Sequence, residues 1–285
     1  MSNQHLAQAL RSAAPIARRV GQSLRQGAIA VALTAAAMMP AQAAPLKVLF
    51  LGYDYNVASV KNDILGSDAR FDFAASTGSD SCGAAAPSLA TLQQYDSVLV
   101  WGNCGPGAGL GNVLADFADG GGRVVLGTFL GYFQSLGAFT GRINSTGYNP
   151  FIGGTTDAYR NVTLGTHDAS SALFDGVGSI ASSYYNGDWM GVDVGATLVA
   201  EWSNGRPFVG VNAAGNVLNV SLFPNVASFR HASGNYQQLF RNALAYEAAP
   251  APVAAAVPEP ASLALVGLAL LAMTGTRRLA RRQSR

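Results

Sequence analysis

The side chains here that could serve as nucleophiles, proton carriers or metal ligands are few. Beyond the N-terminal region there are two cysteines, Cys82 and Cys104, and two histidines, His167 and His231. In an exported chain an even cysteine pair reads as a disulfide. Closing that loop would stabilise the fold by about 3 kcal/mol on the chain-entropy account. The alternative is Cys104 as a thiol nucleophile. Neither histidine has a ligating residue at zinc spacing, apart from Asp168 directly beside His167, and adjacent side chains usually point apart. His167-Asp168 therefore reads as a turn before a short helix at Ala172, Leu173 and Phe174. Asp54, Asp188 and Asp193 could hold calcium with backbone oxygens but lack the alternating Asp spacing of a calcium loop, so solvated carboxylates are the plainer reading. The run Gly102-Asn103-Cys104-Gly105-Pro106-Gly107-Ala108-Gly109-Leu110-Gly111 lacks the spacing and acidic ribose partner of a dinucleotide site. No metal and no cofactor are expected.

A ligand site remains open to argument. Open α/β sheets bind ligands at the carboxyl ends of their strands. Asp54 (with Tyr53, Tyr55 and Asn56), Asn103, Thr128 and Tyr132 would collect there. Rings that stack on C–H faces, with amides and a carboxylate for hydroxyls, suit a sugar. Tyr184, Tyr185 and Trp189 could add a platform, or could equally pack under a loop.

The elements that would position these residues follow from the apolar pattern. Leu46 to Leu51, Phe71 to Ala75, Asp96 to Trp101 and Arg123 to Gly127 are predicted strands. Val57 to Leu65 is a predicted helix, and Leu110, Val113, Leu114, Phe117 and Ala118 fall at helical spacing before Gly120-Gly121-Gly122. Alternation of this kind predicts a parallel sheet covered on both faces. In the second half, Thr197 to Trp202, Pro207 to Val211 and Val217 to Leu222 are predicted strands separated by Asn204-Gly205 and Gly215-Asn216, which suit hairpin turns. Ser233 to Tyr246 is a predicted closing helix. The expected fold is α/β: a flavodoxin-like, mostly parallel sheet sandwiched by helices, with an antiparallel extension, over residues 44–247.

The two ends read as addresses. Of 285 residues, 49% are hydrophobic and 12% charged. The net charge of +2 hides a division. Between Lys47 and Glu259 there are 16 acidic and nine basic residues, a net −7, while the remaining nine arginines sit at the ends. An acidic body argues against nucleic acid as a partner. Residues 1–43 have the form of a signal peptide: Arg11, Arg18, Arg19 and Arg25, then 13 apolar residues from Gly27 to Met39, then Pro40. Ala41-Gln42-Ala43 is the small-x-small pattern for signal peptidase, so the mature chain is predicted to start at Ala44. The polar or small residues after Arg18-Arg19 favour Sec export over the twin-arginine route. At the other end, Ala248 to Ala256 contains only Ala, Pro and Val and reads as a semi-rigid spacer. Val257-Pro258-Glu259-Pro260 follows, then an uncharged apolar run from Ala261 to Gly275, then Arg277, Arg278, Arg281 and Arg282. A 15-residue helix rises about 22 Å, short of a roughly 30 Å hydrocarbon core, and snorkelling arginines help close the gap. Those arginines would hold that end in the cytoplasm and the body outside the inner membrane.

Residues 257–282 resemble the PEP-CTERM sorting signal, with its Pro-Glu-Pro, apolar helix and arginine cluster all in place. The resemblance implies an exosortase as processing partner and a Gram-negative cell that makes extracellular polysaccharide. An anchor that is never cut is the alternative. The body resembles the class I glutamine amidotransferase-like fold, including its trehalose-utilisation (ThuA-like) members. The stretches that carry this likeness are Tyr95 to Gly102, Gly121 to Gly131 and Asn219 to Asn225. On them the family's Gly-x-Cys-x-Gly elbow becomes Gly127-Thr128-Phe129-Leu130-Gly131, and its His-Pro-Glu becomes Phe223-Pro224-Asn225. Phe129 cannot attack a carbonyl, Phe223 cannot act as a base, and Asn225 cannot orient one as a carboxylate would. The expectation is a surface or matrix protein with an inactive amidotransferase-like domain that binds extracellular polysaccharide. The alternatives are a sugar-active enzyme of ThuA-like type using Asp54 or His167, and a scaffold for another protein.

Overall fold

In the computed structural model, residues 44–135, 139–158, 161–183, 185–224 and 232–247 are described. Every element lies in the compact unit that begins at Pro45. The signal segment before Ala44, the spacer and the sorting tail lie outside the described residues. So do Tyr184, Asn225 and His231.

The chain opens with β1 (Val48–Tyr53), α1 (Val57–Leu65), β2 (Thr77–Asp80), α2 (Leu89–Leu92), β3 (Ser97–Gly102), α3 (Leu110–Asp119), β4 (Arg123–Leu126) and α4 (Leu130–Ser135). It continues through β5 (Phe151–Ala158), β6 (Val162–His167), β7 (Ile180–Ser182), β8 (Tyr185–Val192), β9 (Thr197–Trp202), β10 (Pro207–Val211), β11 (Val217–Val220), β12 (Ala232–Gly234) and α5 (Tyr236–Leu244). One sheet runs β12-β7-β6-β9-β10-β11-β4-β3-β1-β2, and β5 pairs with β8 separately. Neighbours from β2 through β11 are parallel; those from β11 to β12 are antiparallel.

The parallel half, β2-β1-β3-β4-β11, has the flavodoxin-type order with its switch point between β1 and β3. From β1 the chain crosses outward to β2 on one side, and from β3 it crosses to β4 on the other. Right-handed crossovers therefore place α1 and α3 on opposite faces. Every residue of β1 and β3 is buried, as strands covered on both sides require. Trp101, Phe50, Tyr53 and Phe240 are among the largest fully buried side chains of this core.

Two predicted features differ. The second strand is not Phe71 to Ala75. Phe71 makes only an isolated bridge to Leu46. The chain then turns on Asp72, which accepts from the Ala75 and Ser76 amides through its side chain and carbonyl respectively. The strand that pairs with β1 is the polar Thr77-Gly78-Ser79-Asp80, where Gly78 lets the backbone sit close to Phe50 and Val57. The antiparallel part is also larger than the predicted three-strand meander. Its hairpins turn at Gly205 and Gly215, both at positive φ, and β6, β7 and β12 widen it further.

Candidate functional site

The switch point gathers most of the sequence-predicted residues at one edge. Tyr53 ends β1, and its carbonyl accepts from the Asn103 and Cys104 amides at 2.8 and 2.9 Å. Burial pushes the Tyr53 phenol above its ordinary range, and the Gly107 amide hydrogen-bonded to it partly offsets this. Asp54 is 1% exposed, and the Trp101 indole N–H points at its Oδ2 from 3.4 Å. Asn56 sits in the left-handed region (φ 63°) just before α1, whose first amide, Val57, donates to the Asp80 carboxylate at 3.0 Å.

Cys82 and Cys104 are disulfide-bonded, with Cα atoms 5.6 Å apart. The bond joins the loops after β2 and β3. The free-thiol nucleophile is therefore excluded in this structure. The glycine-rich run has a packing reason: Gly107 lies on the backbone of Ala84 to Ala86, and Gly111 on that of Thr140, leaving no room for a Cβ at either position.

The predicted elbow is a strand–turn–helix. After β4, Gly127 donates to Val100, Thr128 to Leu222 and Phe129 to Gly102, and α4 begins at Leu130. Phe129 is 2% exposed and Phe223 fully buried, and their rings stack with centroids 5.5 Å apart. Positions 129 and 223, singled out in the sequence, are thus brought together as one apolar contact. Thr128 is fully buried, and its hydroxyl has no hydrogen-bond partner.

Of the four predicted ligand residues, Asp54, Asn103 and Thr128 lie at the carboxyl ends of β1, β3 and β4. Asp54 and Thr128 are buried, whereas Asn103 is exposed. Tyr132 falls in α4. His167 is elsewhere: it ends β6, its Nδ1 lies 3.0 Å from the Gly165 carbonyl, and its ring packs on Phe174. Six strand spacings separate β6 from β1, roughly 29 Å, so Asp54 and His167 cannot share a substrate bond. Asp193 is also engaged locally, accepting from the Gly147 amide at 2.7 Å. Among the described residues no group of three metal-ligating side chains occurs. The Trp101–Asp54 contact is not legible in the sequence, because nothing in a strand pattern says which polar atom an indole will reach.

Residues 256–282 match the family model for the PEP-CTERM protein-sorting motif. The chain therefore carries this motif, which points to an exported, envelope-associated protein with an exosortase as processing partner. No curated protein sequence matches the chain. Among solved structures, a GMP synthase subunit-type protein of Thermoplasma acidophilum aligns at 11% identity and TM-score 0.47, over 72% of this chain and 94% of that one. A ThuA-like protein from Bacteroides uniformis aligns at 13% identity and TM-score 0.46, over 72% and 93%. PurLQS from Thermotoga maritima aligns at 13% identity and TM-score 0.42, over 72% and 99%. Among the described residues no helix is long and apolar enough to cross a membrane. The predicted span 261–275 lies outside them.

Proposed function

We propose that this chain is exported, held at the inner membrane by its C-terminal tail, cut by an exosortase, and then resident at the cell surface or in the extracellular matrix. Its body is a catalytically silent scaffold of amidotransferase type whose carboxyl edge binds extracellular polysaccharide. The sorting motif at 256–282 carries the address. The buried Phe129–Phe223 stack carries the loss of chemistry, because neither ring can give or take a proton or form an acyl bond. Solvent-facing Asn103, next to the disulfide-bonded loops at the switch point, supports the ligand edge.

Intact mass of the protein recovered outside the cell tests the address. The expected species starts at Ala44, ends near Pro258-Glu259-Pro260 and contains the cystine. Full-length chain dissolved in the cytosol would overturn it. Ammonia release from glutamine tests the silence, and any turnover above a protein-free blank rejects it. Pull-down on the producing cell's own polysaccharide tests the ligand: Asn103→Ala should lower retention several-fold with the fold intact. Sugar turnover that vanishes in Asp54→Asn would favour the enzymatic alternative instead.

A further inference from the structure

The chain enters and leaves the body at one edge of the sheet. Ala44 and Pro45 are exposed just before β1, and Glu247 is exposed just after α5. A relay of hydrogen bonds joins the two points. The Lys47 amide donates to the Asp96 carboxylate at 2.7 Å, and the Arg123 amide donates to the Asp96 carbonyl at 3.2 Å. The Arg123 guanidinium then donates to the Leu244 carbonyl at 3.0 Å, at the end of α5. These residues precede or begin β1, β3 and β4, so they mark the amino edge. Two strand spacings, about 10 Å, span the relay.

The exit is fixed rather than frayed. Arg241 reaches the Ile64 carbonyl in α1, and Asn242 donates to the Leu173 and Asp175 carbonyls. The Ala245 and Tyr246 amides bond back to Arg241 and Ala243. Asn103, the disulfide and the elbow lie at the opposite edge, roughly 20 Å away along six-residue strands.

From this we infer that, while the tail is attached, the body turns the amino edge toward the membrane and the carboxyl edge outward, toward a soluble polymer rather than a membrane-bound partner. Reach decides the point. The 13 residues from Ala248 to Pro260 can span at most about 45 Å even at full extension. A body of this size has a radius of gyration of roughly 17 Å, so a path around half its surface exceeds about 60 Å. The spacer cannot wrap far enough to invert the body. The inference rests on the tail being a tether.

Among the described residues there is no free cysteine, so an added one is the only label site there. Ala69→Cys marks the amino edge, and Thr140→Cys, beside the first turn of α3, marks the carboxyl edge; both positions are exposed. The full chain, reconstituted into phosphatidylethanolamine–phosphatidylglycerol vesicles with a headgroup acceptor of short Förster radius, should show at least about two-fold more energy transfer from position 69 than from 140, given the edge separation. Gln94→Cys, a second amino-edge site, should match position 69. Equal or reversed transfer from protein that floats with the vesicles overturns the orientation and leaves the tether standing. Transfer from neither site, with protein that does not float, overturns the tether and the orientation with it.

Discussion

At positions 129 and 223 two phenyl rings stack in a pocket sealed from solvent, with an interplanar angle of 29°. Their contribution is that of core packing, and it can be measured. Phe129→Ala and Phe223→Ala should each cost about 3–5 kcal/mol, because each leaves a cavity where a buried ring stood. Because the rings share one contact, the double variant should cost less than the two singles together. Urea midpoints with unchanged slope would report this. Additive losses would mean that the rings pack independently. That phenylalanines stand at 129 and 223 is readable from the sequence alone, since it needs only the residue identities. That the two rings touch is not, because 94 positions separate them. Asp54 shows the same limit: the indole that points at its carboxylate, Trp101, comes from the neighbouring strand.

The elements divide by how much of their signal is local. β1, β3, α1 and α3 follow the predicted spans within about two residues, as uninterrupted apolar runs or helical spacing allow. β2 departs from its predicted place because an edge strand needs no apolar face, and its pairing is set by a neighbour rather than by its own composition. β6, β7 and β12 escape the pattern because none carries an uninterrupted apolar run: β6 reads Val-Thr-Leu-Gly-Thr-His, and β7 and β12 have three residues each. The disulfide holds the otherwise weak β2 end in place. Cys82→Ser and Cys104→Ser should each lower stability by about 3 kcal/mol, seen as a melting shift that reductant reproduces in the unaltered protein and does not add to in either variant. A second element-scale test concerns the joint between α1 and α5. Asp68 lies within ion-pair distance of Arg70 and Arg241, and hydrogen bonding to Arg70 holds its carboxyl below the ordinary range. A depressed carboxyl contributes stability above about pH 4, the unfolded value, and loses it as pH falls through the folded value. The stability gap between the unaltered protein and Asp68→Asn should therefore be constant from pH 7 to 5 and close toward pH 2. A gap that persists in acid would assign the role of Asp68 to packing.

For the whole molecule, charge is distributed so that the body and its ends behave differently. The stretch from Lys47 to Glu259 carries −7, and the tail beyond residue 276 carries five arginines and no acid. Read as a helix, the uncharged run of 15 residues would rise about 22 Å against a roughly 30 Å core, so the proposed tether would need the arginines at its end. On the proposed topology they would oppose translocation of the last residues and, by snorkelling, help a short span bridge the bilayer. Replacing Arg277, Arg278, Arg281, Arg282 and Arg285 by Ala removes both effects while leaving Pro258-Glu259-Pro260 and the body untouched. The expected result is full-length chain released from the membrane on the outer side, uncut, with the melting temperature of the body unchanged. Fractionation with intact-mass measurement reads position and cleavage together. A variant that is still membrane-held and cut at its usual place would show that the apolar run alone anchors the tail, and that the arginines serve neither hold nor recognition.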